Sequence, residues 1–189
     1  MNVLIHTCCA PCLLYPTQIL QEQNVGFTCY FYNPNIHPYR EFRSRLNSFI
    51  DLAEQRNFKV IIDRDYGIGQ YLRSVAFRES QRCRVCYETR LKRTAQLARD
   101  NNFTHFTTTL MFSIHQNHDL IQSTGHHYAK REGVSFYYQD FRDGWEQAGK
   151  EATELNLYQQ KYCGCIFSEQ ERYDNRLKKR LKKKRDNHV

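Results

Sequence analysis

Cysteines are the residues of this sequence best suited to chemistry: seven of the eight lie in three short clusters. The clusters are Cys8-Cys9-Ala-Pro-Cys12, Cys83-Arg-Val-Cys86 and Cys163-Gly-Cys165. In a reducing compartment, clustered thiols are typical of metal ligands or redox groups and not of a disulfide framework. The sequence therefore predicts a metal centre that is assembled from three separate parts of the chain.

Two of the clusters contain a C-x-x-C pair, Cys9/Cys12 and Cys83/Cys86, and together these pairs supply four thiolates. Each pair lies at the predicted start of a helix, where free N–H groups and the helix dipole favour anions. Four tetrahedral sulfur ligands suit a 4Fe–4S cluster or a structural zinc ion.

Three clustered cysteines then remain: Cys8, Cys163 and Cys165. Cys8 and Cys9 are adjacent, and neighbouring side chains near a strand end point in opposite directions, so we expect them not to hold one ion together. Three thiolates form an incomplete shell, which is what a catalytic metal requires. Cys29 alternates with Phe27 and Phe31 and is predicted to be a core residue.

Two simpler interpretations of the cysteines stay open. The first is one structural zinc ion with spare thiols, although such a site needs only four ligands. The second is a single redox-active C-x-x-C pair of the thioredoxin type.

Short apolar runs alternate with helical patterns along most of the chain, which predicts βαβ units and a parallel sheet with helices on both faces. The predicted strands are Val3–Thr7, Phe27–Tyr32, Lys59–Ile62, His105–Leu110 and Ser135–Phe141. The predicted helices are Leu13–Gln23, Tyr39–Arg56, Ile68–Ala76, Arg84–Asp100, Asn117–Arg131, Glu146–Leu155 and a basic helix from Ser168 to about Lys184.

Ligands of such sheets bind beyond the carboxyl ends of the strands, and the turns there carry further candidate residues. His37, after the second strand, is a candidate for contact with a substrate. Asp140 and Asp143 are expected at the end of the fifth strand, where they could donate protons or bind metal; for Asp143, before Gly144, an ordinary turn is the competing interpretation. Further candidate substrate contacts are His115, His118, Asp119, Tyr158, Tyr162 and Tyr173.

The positive charge is concentrated at the C-terminus. The formal net charge is +8, and residues 172–189 hold nine basic and two acidic side chains. We expect one catalytic domain over residues 1–175 and a basic tail, 176–189, that either binds phosphate backbones or only aids solubility. The first residues have neither a basic start nor a long apolar run, so we expect no signal peptide, no membrane span and a cytoplasmic location.

The sequence resembles the QueH-type epoxyqueuosine reductases over nearly its whole length up to about Tyr173. The resemblance rests on six segments: His6–Pro11, Tyr32–Tyr39, Arg82–Tyr87, Phe106–Leu110, Asp140–Gly144 and Tyr158–Ile166. It implies a Rossmann-like fold of the nucleotide-hydrolase (HUP) type, a 4Fe–4S cluster and an additional iron beside it. It also implies the last step of queuosine synthesis, removal of the epoxide oxygen of epoxyqueuosine at the tRNA wobble position.

On this basis the first hypothesis divides the thiols four and three. Cys9, Cys12, Cys83 and Cys86 would hold the cluster, and Cys8, Cys163 and Cys165 the mononuclear iron. Asp140 or a nearby acid would supply a proton, and a ferredoxin or flavodoxin the electrons. The competing functions are an iron–sulfur tRNA sulfur-transfer enzyme, which would need a glycine-rich ATP loop after the first strand, and a non-enzymatic zinc-dependent RNA-binding module.

Overall fold

Five parallel strands form one sheet in the order β3-β2-β1-β4-β5. The computed structural model describes residues 1–176 and Lys178. The strands are β1 Asn2–Thr7, β2 Gly26–Phe31, β3 Val60–Ile62, β4 His105–Thr108 and β5 Ser135–Phe136. The predicted parallel α/β sheet is therefore confirmed, and β1 lies at its centre.

Within the described residues, seven α-helices follow or connect these strands. They are α1 Pro11–Glu22, α2 Tyr39–Gln55, α3 Ile68–Val75, α4 Arg82–Asp100, α5 His118–Glu132, α6 Trp145–Glu154 and α7 Ile166–Tyr173. The first six agree with the sequence prediction to within two residues at each end. Helices α1 and α4 begin at Pro11 and Arg82, so both C-x-x-C pairs do lie at helix starts, as predicted.

The core forms because the central strand is covered on both faces. Val3, Leu4 and Ile5 of β1 are all fully buried. Helix α1 packs against α6, whereas α4 packs against α5 and β1. Right-handed crossovers place these two helix pairs on opposite faces of the sheet.

The predicted fifth strand, Ser135–Phe141, is wrong in length, because β5 ends at Phe136. It pairs with β4 at two positions, Ser135 with His105 and Phe136 with Phe106, and the chain then departs from β4. Strand β4 itself continues to Thr108 and is followed by a 3₁₀ helix over Thr109–Phe112. Asp140 and Asp143 are thus not at a strand end. Asp140 precedes a 3₁₀ turn, Arg142–Gly144, that leads into α6, and Asp143 lies on that turn.

The basic C-terminal helix was predicted from Ser168 to about Lys184. Its first part is α7, which ends at Tyr173. Of the predicted tail, 176–189, the structure describes only Arg176 and Lys178, and the rest lies outside the described residues. None of the helices within the described part of the chain has the length and apolar character needed to cross a membrane.

A glycine inside α5 lets that helix pack closely on β5. A Cβ atom on Gly125 would lie 2.6 Å from the Phe136 ring. This ring has little room to move, because the Phe106 and His126 rings contact it at centroid distances of 5.2 and 5.4 Å. The close packing of α5 on β5 therefore depends on glycine at position 125, where any side chain would clash with Phe136.

We predict that Gly125→Ala lowers the free energy of unfolding by roughly 1–3 kcal/mol through overpacking, despite the better helix propensity of alanine. Gly149→Ala in α6 is the matched control, since a Cβ there meets nothing within 4 Å. It should raise stability by up to about 1 kcal/mol. Urea denaturation measures both changes, and equal stability of the two variants would contradict the packing argument.

Candidate metal centre

The first cysteine cluster lies where the strand order reverses, beyond the carboxyl ends of β1 and β4. The Cys8 backbone N–H donates to Thr109 Oγ1 at 3.1 Å, and the Thr109 hydroxyl donates to Cys8 Sγ at 3.4 Å. Just before it, buried His6 bridges Thr108 Oγ1 and the Tyr32 carbonyl. Crevices at this point of an open α/β sheet are the usual ligand sites.

Three buried thiols meet there: Cys8, Cys9 and Cys12, whose Sγ atoms all lie within 4.8 Å of one another. Cys8 Sγ is 3.7 Å from Cys9 Sγ, and Cys9 Sγ is 2.8 Å from Cys12 Sγ. The expectation that the Cys8 and Cys9 side chains point in opposite directions is wrong, because their Sγ atoms lie side by side. Alternation of side chains holds only inside a strand, and β1 ends at Thr7, before both residues.

The three thiols are close enough together to hold one metal ion after a small adjustment. Sulfur atoms bound tetrahedrally at 2.3 Å lie about 3.8 Å apart, which matches the Cys8–Cys9 separation of 3.7 Å, whereas the Cys9–Cys12 separation of 2.8 Å would have to widen by about 1 Å. Hydrogen bonds from the Cys12 and Cys9 thiols hold the pKa of Cys8 well below its usual range. Burial raises the pKa of Cys9. Thiols must lose their protons to bind a metal ion, so binding of a cation to this group would release protons.

We call the other four clustered cysteines the second group, because Cys163 and Cys165 are electrostatic neighbours of Cys83 and Cys86, which lie on the first turns of α4. Burial raises the pKa of the Cys83 thiol, and the nearby Cys163 and Cys165 thiols raise it further. Burial also raises the pKa of Cys86 to about 12, and the same two thiols add to this shift against the effect of Arg90. Cys83 and Cys163 are exposed, whereas Cys86 and Cys165 are buried.

The Cys163-Gly164-Cys165 segment is fixed from α2 and from the turn after β2. Arg45 donates to the carbonyls of Cys163 and Tyr162, both at 2.9 Å, and is paired with Glu41 at 2.7 Å. The His37 N–H donates to the Gly164 carbonyl at 2.7 Å. Gly164 has a φ of +137° and a Cβ there would lie 3.1 Å from Ile36, so this position requires glycine.

Arg90 is a buried cation beside the second group. Its side chain is 2% exposed, contacts Cys86 Sγ and lies 3.4 Å from Asn33 Oδ1. Among the described residues no carboxylate pairs with it. A buried charge without a counter-ion is costly, so Arg90 suits an anionic group such as metal-bound thiolates.

Side-chain amides complete the surroundings of both groups. Gln160 Nε2 donates to Cys9 Sγ at 3.0 Å, and Gln116 Nε2 to Cys163 Sγ at 3.2 Å. Asn35 Nδ2 donates to Cys86 Sγ at 3.4 Å. Hydrogen bonds to ligating sulfur atoms are a principal means of tuning iron–sulfur centres.

The two thiol groups share one cavity of about 260 Å³. Cys8 and Cys12 line it from the first group, and Cys163 from the second. Its remaining lining residues are Arg45, Arg90, Leu110, Ser113, His115, Gln116, Trp145, Gln160, Lys161 and Tyr162. Two metal centres held by these thiols would therefore face the same substrate.

The predicted acids Asp140 and Asp143 are not among the lining residues of this cavity. Arg142 donates to both carboxylate oxygens of Asp140 and thereby lowers its pKa, which disfavours this carboxyl as a proton donor. Asp143 is exposed on the 3₁₀ turn.

The predicted substrate contact His37 is also absent from the cavity lining. Its ring packs against Tyr66 and Tyr71, with centroids at 5.5 and 5.0 Å, and burial lowers its pKa to about 4. In the structure His37 acts through its backbone N–H, whose hydrogen bond to the Gly164 carbonyl holds the Cys163–Cys165 segment.

Sequence reasoning missed four residues that surround the thiols, and two of them had a detectable signal. Arg90 lies four residues after Cys86, so one helix face presents both. Gln160 lies three residues before Cys163. Arg45 and Gln116 come from distant parts of the chain, where spacing gives no indication.

Comparison with known proteins identifies relatives of this chain. A family model described as epoxyqueuosine reductase QueH matches residues 3–171. A protein named epoxyqueuosine reductase QueH from Dehalococcoides mccartyi is 37% identical over 172 residues, 91% of this chain and 94% of that protein. The protein of that name from Thermotoga maritima is 35% identical over 181 residues, 90% and 92% of the two chains.

A solved structure also shares the fold. It is a predicted subunit of tRNA methyltransferase from Methanocaldococcus jannaschii, with a TM-score of 0.54 and 13% identity. The match covers 82% of this chain and 75% of that one. At this identity the likeness supports the Rossmann-like fold alone.

The buried charge of Arg90 generates a prediction about metal removal. Chelation should lower the free energy of unfolding of the wild type by roughly 3–5 kcal/mol more than that of Arg90→Met, because only the wild type is left with an unpaired buried cation. Anaerobic denaturation of the metal-loaded and metal-free forms measures this difference.

Arg45→Met is the control for this experiment. Arg45 is equally buried but keeps Glu41 as its counter-ion with or without metal. It should therefore lose as much stability on chelation as the wild type does. Equal losses in the wild type and in Arg90→Met would contradict the assigned role of Arg90.

Proposed function

This chain belongs to the QueH family of epoxyqueuosine reductases, and from that premise we propose that its two thiol groups hold the iron centres for reducing epoxyqueuosine in tRNA. The chain is thus an oxidoreductase of queuosine biosynthesis. The single observation that carries the metal proposal is the convergence of both thiol groups on one cavity, beside a buried guanidinium.

We assign the thiols by their positions. Cys8, Cys9 and Cys12 are the proposed ligands of a mononuclear iron, because three thiolates leave one coordination position free. The proposed ligands of a 4Fe–4S cluster are Cys83, Cys86, Cys163 and Cys165. This division departs from the sequence-based hypothesis, since Cys9 and Cys12 lie with Cys8, and the electrostatic neighbours of Cys83 and Cys86 are Cys163 and Cys165.

Reduction of an epoxide to an alkene consumes two electrons and two protons and releases the oxygen as water. Bound iron centres supply one-electron transfer and a Lewis acid for this chemistry. The protein's own residues hold the charge: Arg90 contacts the Cys86 sulfur atom, Gln116 donates to Cys163 Sγ at the cavity lining, and Gln160 donates to Cys9 Sγ behind it.

The proton donor must reach the cavity. Its protonable lining side chains other than the cysteines and arginines are His115, Lys161 and Tyr162. Imidazole is the side chain that most readily exchanges protons near neutral pH. We therefore propose His115 in place of Asp140 and Asp143, which lie outside the cavity lining.

The proposed macromolecular partners are tRNA and an electron donor. A single-stranded anticodon loop can present an unstacked base to a cavity of this size, and Lys161 at the lining suits the phosphate backbone. Cys83 and Cys163 are exposed, so a cluster they hold would lie near the surface, within reach of a ferredoxin or flavodoxin. We propose that this reaction takes place in the cytoplasm.

The proposed assignment predicts different metal losses in different cysteine variants. After anaerobic reconstitution, Cys12→Ala should keep the cluster, with its acid-labile sulfide, and lose the mononuclear iron signal. Cys165→Ala should lose the cluster. Mössbauer spectra with iron and sulfide analysis distinguish these outcomes.

Cys29→Ala is the matched control, because Cys29 is a fully buried core thiol on β2, as predicted, and lies in neither group. It should retain both signals. Loss of the cluster in Cys12→Ala together with its retention in Cys165→Ala would overturn the assignment and favour the original four-and-three division.

The charge of the C-terminal residues yields a separate prediction. Deleting residues 177–189 should raise KM for tRNA and flatten its dependence on salt, because each lost phosphate contact reduces the salt slope by roughly 0.7–0.9. Steady-state kinetics over a salt series, with kcat as the internal control, provide the measurement. An unchanged KM at moderate salt would mean that the tail only aids solubility.

A further inference from the structure

Trp145 stands between two cavities. The thiol-lined cavity of about 260 Å³ and a neighbouring one of about 240 Å³ have three lining residues in common: Cys12, Trp145 and Gln160. Trp145 is the single tryptophan of the chain and begins α6. Its ring therefore adjoins both the metal-ligating thiols and a second space beside them.

The second cavity differs from the first in charge, because none of its lining residues carries a charged side chain. Apart from the shared residues, its lining consists of Pro11, Phe112, Ala148, Gly149, Ala152 and Gln159. It therefore offers small side chains, two aromatic rings and two amide groups at its edge. Apolar walls with a few polar groups are typical of sites for flat organic ligands.

The segment before Trp145 holds the ring in place. A Cβ on Gly144 would lie 2.0 Å from the Tyr15 ring, so the backbone packs directly on that ring. Asp140 and Arg142 brace the turn through their ion pair. Phe112 and His115 contact the Trp145 ring at centroid distances of 5.2 and 5.7 Å. The Asp140–Gly144 motif is thus a support for Trp145.

Gly149 lies at the exposed edge of the second cavity. It lies inside α6, where glycine is less favourable than alanine. A Cβ there would meet nothing within 4 Å, so packing of the protein itself does not require glycine. Because Gly149 has no side chain, space is left at the edge of the second cavity.

Gln160 provides a polar group without a partner at the junction of the two cavities. Its Nε2 donates to Cys9 Sγ, whereas its Oε1 is buried and accepts no hydrogen bond from any described residue. Such an acceptor is costly unless a ligand or water satisfies it. An N–H or O–H group of a bound ligand would do so.

We propose that Trp145 is the stacking platform for the modified nucleobase, which occupies the second, uncharged cavity and directs its epoxide-bearing substituent past Cys12 into the thiol-lined cavity. This inference rests on the proposed function. Unstacked bases are commonly held on aromatic rings, and an enzyme acting on a base must extrude it into a pocket. The arrangement separates recognition of the base from reduction of its substituent.

Emission of the single tryptophan tests the proposal directly. An anticodon stem–loop carrying epoxyqueuosine should quench the Trp145 emission of the purified enzyme. The same loop with an unmodified base at that position should not. Anisotropy of labelled RNA shows that both loops bind. Identical emission with both bound loops would overturn the proposal.

Kinetics of matched variants supply the second test. Trp145→Leu should raise KM roughly tenfold or more, as loss of base stacking does, and Trp145→Phe much less. Gly149→Leu should raise KM by filling the cavity while leaving the fold intact. Gly69→Leu, at an exposed helical glycine outside both cavities, is the control and should behave as wild type.

The outcomes separate this inference from the proposed function. If the wild type fails to reduce epoxyqueuosine tRNA, the proposed function is wrong. If the wild type turns over and both Trp145→Leu and Gly149→Leu retain its KM, only the stacking proposal is overturned. A folded Gly149→Leu decides the question even where Trp145→Leu does not fold.

Discussion

The site depends on positive charge that is buried where the strands of the sheet end. Arg45 and Arg90 are 1% and 2% exposed, and each lies on a helix that begins close to the thiols. Arg45 pairs with Glu41 and donates hydrogen bonds to the carbonyls of Cys163 and the preceding Tyr162, so its role is to hold that segment against α2. Arg90 lacks a carboxylate within the described residues, and its neighbours are thiols. The fold tolerates it because the site is built to hold negative charge.

The parts of the structure that depend on local pattern were accessible from the sequence. Alternating strands and helices indicated the parallel sheet, and the two C-x-x-C pairs were placed correctly at the starts of α1 and α4. Grouping of the cysteines was less accessible. Cys163 and Cys165 lie far from Cys83 and Cys86 in the sequence. Hydrogen bonds from Arg45 and His37, which no sequence spacing reveals, hold the Cys163–Cys165 segment in place.

Two errors have a common physical origin, which is that a strand pattern does not specify where pairing stops. Phe136 to Phe141 has the composition of a strand, but the chain departs from β4 after Phe136, two residues before β4 itself ends at Thr108. Cys8 and Cys9 were assigned the alternation of a strand, but the chain has already left β1 at Thr7. In both cases tertiary context overrode the local preference. As a result, Asp140 supports Trp145, and Cys8 joins Cys9.

The difference in exposure between the two groups gives the proposed division of labour a physical basis. Electrons must enter from the surface, and the second group includes the exposed Cys83 and Cys163. The epoxide must be handled away from competing water, and the first group is buried throughout. Burial alone would lower the pKa of Arg90, but the nearby Cys86, Cys163 and Cys8 thiols raise it, so the Arg90 charge acts on members of both groups. Because both groups are near this one cation, a change of charge in either group would alter the electrostatic environment of the other.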